Sequence, residues 1–221
     1  MSYTLHIAPG TCARVPLIAL EEAGADYDLS LVRFMKGEHK RPNYLALNPA
    51  GKVPLLITPE RPLSQNVAIA RYLGATFPGL LPSADSAIDD ARITANLAFC
   101  ADTLHPIVTR MRMPMFFADG DAAQASVKAK GHDAMVMMAA VVEAQLKTGP
   151  WWYGADWSIQ DAYIYWIWFR LKSVGYDTSP LPNWAAHAAR MEERPAVQRA
   201  LAREDELTEI LVDEGLMPPA K

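Results

Sequence analysis

The hydrophobic pattern changes once along the chain, and this change constrains the fold more than any other feature. Up to about residue 76, short strand-like runs alternate with helical patterns. Beyond residue 86, only helical patterns remain. Alternating strands and helices predict parallel strands joined by a right-handed crossover, whereas a run of helices predicts a helical layer. We therefore expect an α/β domain followed by an all-α domain.

The first 76 residues predict four strands and three helices in the order strand, helix, strand, helix, two strands, helix. The strands are expected at residues 3–7, 29–34, 53–57 and 62–63, and the helices at 15–23, 44–47 and 64–75. The first two strands are expected to pair in parallel. The last two are close enough in sequence to form a hairpin.

Residues 77–86 are the best linker candidate. This stretch holds two prolines, one glycine and two serines, all of which interrupt regular structure. We therefore expect domain limits of 1–76, 77–86 and 87–221.

The second domain is predicted to be helical throughout. Helices are expected at residues 89–117, 121–147, 162–171, 182–193 and from 195 onward, with bends at Pro106 and Pro114. Ser158 precedes Asp161 by three positions, which predicts a capping box at the start of a helix. The step from Arg194 to Pro195 is expected to separate the last two helices.

Composition excludes several classes of partner. The net charge is −4, so a nucleic-acid partner is not expected. The longest apolar run, residues 135–142, is far below the ~20 residues of a membrane span. With no signal peptide in view, and Cys12 and Cys100 expected to remain thiols, we predict a cytoplasmic protein. The five histidines lack close ligand spacing, and no metal is expected.

Cys12 is a candidate reactive thiol. It lies between a turn and the first predicted helix, where main-chain N–H groups and the helix dipole favour a thiolate. The alternative is a small buried apolar residue. Val15 stands where a dithiol motif would have its second cysteine, so dithiol chemistry is disfavoured. Cys100 is interpreted as a buried structural thiol.

A second candidate site lies in residues 48–74. Val53-Pro54 enters an apolar run, and Gln65-Asn66 opens a helix, where free N–H groups attract an anion. The alternatives are a plain strand start and ordinary helix capping. His105, taken alone, is better explained as a core or helix-surface histidine than as a functional one.

Four motifs in order give the chain a family resemblance. They are Val53-Pro54, Gln65-Asn66 followed by Tyr72-Leu73, Ser158-Ile159-Gln160-Asp161, and Arg194-Pro195-Ala196-Val197. Together they resemble the cytosolic glutathione transferases over nearly the whole chain. The resemblance implies a thioredoxin-like first domain, an all-helical second domain with the hydrophobic substrate site, and a homodimer.

The resemblance also implies a glutathione site. Val53, with Pro54 in the cis form, would pair with the cysteinyl unit of glutathione, and Gln65 and Asn66 would receive the γ-glutamyl carboxylate. Lys36 is a candidate for the glycyl carboxylate, although a solvated lysine is an alternative.

Within the family the chain looks most like the bacterial beta class, in which a cysteine and a histidine flank the glutathione sulfur. Cys12 and His105 match these positions, and Asp102, three residues before His105, would share its face and favour the imidazolium. Ala13, Pro106 and Ala98 depart from the pattern of that class, which often has Ser, Lys and Asn there.

The implied function is transfer of glutathione to an apolar electrophile, with thiol–disulfide exchange or peroxidase activity as a side activity. The alternatives are glutathione-dependent isomerisation, ether cleavage or dehalogenation, and a non-catalytic binding or stress protein. Several flexible or aromatic side chains after His105 suit a permissive pocket, although a helix or subunit interface is favoured for most of them. They are Met111, Met113, Met115, Phe116 and Phe117.

Overall fold

The computed structural model describes residues 2–218 of the 221-residue chain. These residues form two compact units, one of residues 2–80 with 192–218 and the other of residues 81–191. By its contacts, the last helix therefore belongs to the first unit. The limits 1–76, 77–86 and 87–221 remain a prediction.

The first unit contains the strand and helix order expected from the sequence. Its elements are β1 (Tyr3–Ile7), α1 (Arg14–Glu22), β2 (Tyr27–Leu31), α2 (Pro42–Leu47), β3 (Leu55–Ile57), β4 (Pro62–Ser64), α3 (Asn66–Thr76) and α9 (Pro195–Asp213). Strand β2 starts and ends earlier than expected, because its partner β1 ends at Ile7, opposite Leu31.

The sheet is mixed, with strand order β2-β1-β3-β4. Strands β1 and β2 pair in parallel, and β3 pairs antiparallel with both β1 and β4. The predicted parallel pair and hairpin are thus confirmed, and the unit has the expected thioredoxin-like architecture. Leu5 and Ile7 of the inner strand β1 are fully buried, so the loop that follows Ile7 starts from a rigid position.

Helix α9 packs against α1 through an apolar stripe and is fastened to it by ion pairs. Arg194 pairs with Glu22 (Nε–Oε1, 2.6 Å), and Arg199 pairs with Glu21 (Nε–Oε2, 2.7 Å). The helix begins at Pro195, as predicted, because proline tolerates the first turn of a helix but not its interior.

The second unit consists of helices. They are α4 (Ala87–Ala98), α5 (His105–Arg112), α6 (Asp121–Leu146), α7 (Ile159–Ser173) and α8 (Pro182–Glu192). The single helix expected over 89–117 is wrong, since a π-helical segment, Phe99–Leu104, separates α4 from α5. Pro106 lacks an N–H, and the wider π turn accommodates it. The helix then stops at Arg112, shortly before Pro114.

The predicted capping box is present at the start of α7. The carboxylate of Asp161 accepts hydrogen bonds from the main-chain N–H groups of Ser158 (2.9 Å) and Trp152 (2.7 Å), and it contacts His187 Nε2 at 3.0 Å. All of these side chains are buried. Asp161 therefore joins the start of α7, the preceding loop and α8.

Within residues 2–218, none of the helices has both the length and the apolar character that a membrane crossing needs.

Candidate functional site

Cys12 lies in the turn between β1 and α1, two residues before the helix begins at Arg14. The turn is closed by Thr11, whose N–H (3.2 Å) and Oγ1 (2.6 Å) both donate to the carbonyl of Ala8. The Cys12 carbonyl accepts from Val15 N–H at 3.2 Å. Cys12 is half-buried, and its expected position at the helix start is confirmed.

The Cys12 thiol contacts the Val53 main chain. Its Sγ donates to the Val53 carbonyl oxygen over 3.7 Å. The peptide bond between Val53 and Pro54 is cis, as the resemblance implies. The structure therefore brings three of the expected site residues together at the start of β3.

Asn66 is the first residue of α3 and holds the Cys12 turn from the other side. Its Nδ2 donates to the carbonyl of Cys12 over 3.1 Å. Its Oδ1 is buried and has no hydrogen-bond partner among residues 2–218. A buried acceptor without a donor is costly, so it marks a place where a ligand N–H would be stabilised.

Gln65 precedes α3 in an unusual main-chain conformation, with φ +75° and ψ 123°. Within residues 2–218 it alone among non-glycine residues has a positive φ. Such a conformation costs about 1–3 kcal/mol and is found preferentially at functional sites. The side chain of Gln65 is exposed, next to the N–H groups that open α3.

Lys36 has a partner elsewhere in the first unit. Its Nζ pairs with Glu214 Oε2 at 2.6 Å, and Arg33 Nη2 pairs with the same carboxylate at 2.7 Å. The hydrogen bond from Arg33, and to a smaller extent that from Lys36, lowers the pKa of Glu214 to about 2. Glu214 therefore competes with a ligand carboxylate for Lys36.

A buried ion pair beside Cys12 was not predicted from the sequence. Arg14 donates from Nε to Glu204 Oε2 (2.8 Å) and from Nη2 to Oε1 (2.9 Å). Glu204 also accepts from the N–H of Gly10. A signal was present, because Glu204 continues the buried stripe formed by Val197, Ala200, Leu207 and Leu211. A charge in an apolar stripe needs a buried partner.

His105 opens α5 in the second unit. Its Nδ1 lies 3.2 Å from the hydroxyl oxygen of Tyr163, and its ring meets Trp166 edge-on with centroids 4.5 Å apart. Tyr163 and Trp166 are buried, so they fix the orientation of the imidazole. Asp102 is exposed and lies in the π segment, where the spacing of an α-helix does not apply. Its pairing with His105 remains a prediction.

The side chains after His105 fall into two groups. Met111 is buried, and with Met113 it borders an open cavity of about 430 Å³. Met115, Phe116 and Phe117 are exposed, so the expected packing between helices of this chain is wrong for these three side chains. Any subunit interface for them remains a prediction.

The two cysteines are not joined by a disulfide. Cys100 is fully buried, and burial raises the pKa of its thiol. Gln160 Nε2 donates to its sulfur over 3.1 Å. The interpretation of Cys100 as a structural thiol is confirmed by its burial. Among residues 2–218 no three His, Cys, Asp or Glu side chains group as metal ligands would, and the absence of a metal remains a prediction.

The fold agrees with what comparison with known proteins finds. Residues 1–75 match the family described as "Glutathione S-transferase, N-terminal domain". Glutathione S-transferase GstA of Escherichia coli O157:H7 is 32% identical over 205 residues, covering 90% of this chain and 98% of GstA.

Solved structures give the same result. A glutathione S-transferase from Xylella fastidiosa is 31% identical with a TM-score of 0.84, covering 92% of this chain and 98% of its own. A sphingomonad glutathione S-transferase complexed with glutathione is 29% identical with a TM-score of 0.79, covering 91% and 98%. The chain therefore belongs to the glutathione S-transferase family of enzymes and lies near its bacterial members.

Proposed function

We propose that the first unit binds reduced glutathione and that the enzyme joins glutathione, through its sulfur, to an apolar electrophile. The observation that carries the proposal is Asn66, which supports the Cys12 turn with Nδ2 and whose buried Oδ1 has no donor in the described part of the chain. The sphingomonad relative, whose structure contains glutathione, supports the same ligand here.

The γ-glutamyl end of glutathione suits the start of α3. Its carboxylate would accept from the main-chain N–H groups that open this 11-residue helix. Its ammonium group is a donor and matches the unpartnered Oδ1 of Asn66. The exposed amide of Gln65 lies beside the same N–H groups. Both amides then act on one zwitterionic end.

The cysteinyl part of glutathione suits the Val53 edge. An extended peptide pairs with an exposed main-chain edge through its own N–H and carbonyl. Val53 would supply the complementary main-chain carbonyl and N–H, and its neighbour Pro54 holds this main-chain segment in place. The Cys12 thiol, which now donates to the Val53 carbonyl, would turn towards the ligand sulfur when the ligand N–H takes that acceptor.

Cys12 supports the reaction by stabilising negative charge on the ligand sulfur. A thiolate is the reactive form, and hydrogen bonds from a thiol and from a helix start favour it. The glutathione sulfur forms a bond to the electrophilic carbon, and the leaving group departs with its electron pair. The proton of the glutathione thiol goes to solvent.

Thiol–disulfide exchange is a second candidate, favoured by the half-buried position of Cys12 beside the Val53 edge. The Cys12 thiolate would attack a disulfide that contains glutathione, form a mixed disulfide and release the other half as a thiolate. Substrate profiling would reveal peroxidase activity, isomerisation, ether cleavage or dehalogenation.

We propose His105 as a second catalytic residue, with Asp102 as an accessory carboxylate. The hydrogen bond between His105 Nδ1 and the Tyr163 hydroxyl and the packing on Trp166 hold the imidazole in one orientation, which general acid–base or charge-stabilising roles require. Lys36 is proposed to bind the glycyl carboxylate after release from Glu214.

A homodimer, a beta-class assignment and a cytoplasmic location are further parts of the proposal. The dimer is supported by exposed apolar side chains on two helices of the second unit, Ile88 on α4 and Met137 on α6. The class is supported by Cys12 and His105. A reducing location is consistent with two cysteines that form no disulfide with each other.

Calorimetry with glutathione, combined with conjugation of an aryl halide, tests the proposal on wild type, Cys12→Ala and Cys12→Ser. We expect micromolar-to-millimolar binding by wild type, with loss of turnover in both variants. Gln65→Ala is expected to weaken glutathione binding, and Gln198→Ala, which removes an exposed amide on α9, serves as its control. Absence of binding heat with wild type, or unchanged turnover and mixed-disulfide yield in both Cys12 variants, would contradict the proposal.

A further inference from the structure

The buried carboxylate of Glu204 reaches both sides of the Cys12 turn. One oxygen accepts from the Gly10 N–H and from Arg14 Nη2, and the other accepts from Arg14 Nε at 2.8 Å. Gly10 and Arg14 each lie two positions from Cys12. A single side chain of α9, far away in sequence, therefore fastens the residues before and after the thiol.

The two partners form a balanced pair of charges in a buried place. Arg14 is 7% exposed and Glu204 is 3% exposed. Solvent screens buried charges poorly, so each would act strongly on a neighbouring thiol if it stood alone. Because the pair is bidentate, the two charges stay together and largely cancel.

Two further elements of this unit reach the Cys12 turn with uncharged groups. The start of β3 contributes the Val53 carbonyl, and α3 contributes the Asn66 amide. Charged side chains reach the turn from α1 through Arg14 and from α9 through Glu204.

We infer that Arg14 and Glu204 are positioning residues that fix the Cys12 turn and set the protonation of its thiol. The inference rests on the role proposed for Cys12 and deepens it. Loss of Glu204 leaves an unbalanced cation, which favours the thiolate. Loss of Arg14 leaves an unbalanced anion, which favours the thiol. A purely structural role would instead move both variants in the same direction, towards the behaviour of an exposed cysteine.

The test measures the pH dependence of Cys12 alkylation by iodoacetamide, read by peptide mass spectrometry, so it requires no glutathione. Glu204→Gln is expected to lower the apparent thiol pKa by about one unit, and Arg14→Gln to raise it by about one unit. The double variant is expected to return close to wild type. Cys100 adds no signal, because it is buried and its pKa is raised.

Glu206→Gln is the matched control, since it removes an exposed carboxylate two residues away on the same helix. It is expected to leave the Cys12 pKa unchanged. If one single variant does not fold, the Cys12 pKa of the other is compared with that of the double variant. It must be lower in Glu204→Gln, or higher in Arg14→Gln, than in the double variant. Shifts of the same sign in both single variants, or no shift in either, would overturn the inference. A glutathione-binding failure in wild type with the opposed shifts intact would refute the proposed function alone.

Discussion

Asn66 and Cys12 are joined by a hydrogen bond from the amide Nδ2 to the main-chain carbonyl, 3.1 Å long. The first residue of α3 thereby holds the turn that carries the candidate thiol, although 54 positions separate the two residues. The anion-attracting start of one helix and the thiol at the start of another are thus parts of one arrangement in the first unit.

Replacement of Asn66 by Ala is expected to weaken glutathione binding roughly tenfold, because it removes both the support of Cys12 and the buried acceptor. Asn66→Asp is expected to weaken binding less than Asn66→Ala, since the carboxylate cannot donate to the Cys12 carbonyl but still accepts from the γ-glutamyl ammonium group. Calorimetry checks both variants. Asn43→Ala, an exposed residue of α2, is the control, and an affinity equal to wild type in Asn66→Ala would count against the site.

Glu214→Gln is expected to tighten glutathione binding roughly two- to fivefold, because it releases Lys36 from its ion pair. The gain should vanish with γ-glutamylcysteine, which has no glycyl carboxylate, and in the double variant Glu214→Gln with Lys36→Ala. Binding titrations with the two peptides make the comparison. An equal gain with both peptides would show that Lys36 does not bind the glycyl end.

Tyr163→Phe is expected to lower kcat roughly three- to tenfold while the affinity for glutathione changes little. The variant keeps the buried ring but loses the hydroxyl that contacts His105 Nδ1 at 3.2 Å. Steady-state kinetics with an aryl halide separate the two parameters. His105→Gln should lower kcat further, and a Tyr163→Phe enzyme with wild-type kcat would remove the orienting role.

Asp161→Ala is expected to destabilise the protein by about 3–5 kcal/mol, because it leaves several buried donors and His187 without their acceptor. Urea denaturation measures the change in the free energy of unfolding. Asp156→Ala, an exposed aspartate in the preceding loop, is the control. A change below ~1 kcal/mol at Asp161 would mean that other groups satisfy these donors.

His6 predicts a pH dependence of stability. Burial lowers the pKa of its imidazole, whose ring stands edge-on to Tyr44 with centroids 5.6 Å apart. The unfolded chain, with a pKa near 6.5, therefore binds the proton more readily. Stability is then expected to fall as pH drops below about 6.5, and His6→Asn should reduce this slope. Thermal melts from pH 8 to 5 measure it, and identical slopes would exclude His6 as the cause.

Much of the first unit could be predicted because its periodicity is local. The parallel pair, the hairpin and the helix that starts beside Gln65 follow from residues close together in sequence. The end of β2 was misjudged because the apolar pattern continues to Phe34, whereas pairing stops where β1 stops. A strand's length depends on its neighbour as well as on its own residues.

The parts that sequence did not predict depend on distant contacts. Glu204 could not be assigned to Arg14, because nothing local indicates which buried cation faces a charge in a helix stripe. The π segment before His105 has the same apolar spacing as an α-helix and was missed for that reason. Lys36 was named as a ligand residue without its partner Glu214, which lies 178 positions away.

A crystal structure of the protein with reduced glutathione tests the central claim most directly. The account predicts the tripeptide main chain paired with the N–H and carbonyl of Val53, its ammonium group on Asn66 Oδ1, and its sulfur within hydrogen-bond reach of Cys12. Glutathione bound elsewhere on the chain, with the Val53 edge and the start of α3 unoccupied, would contradict it.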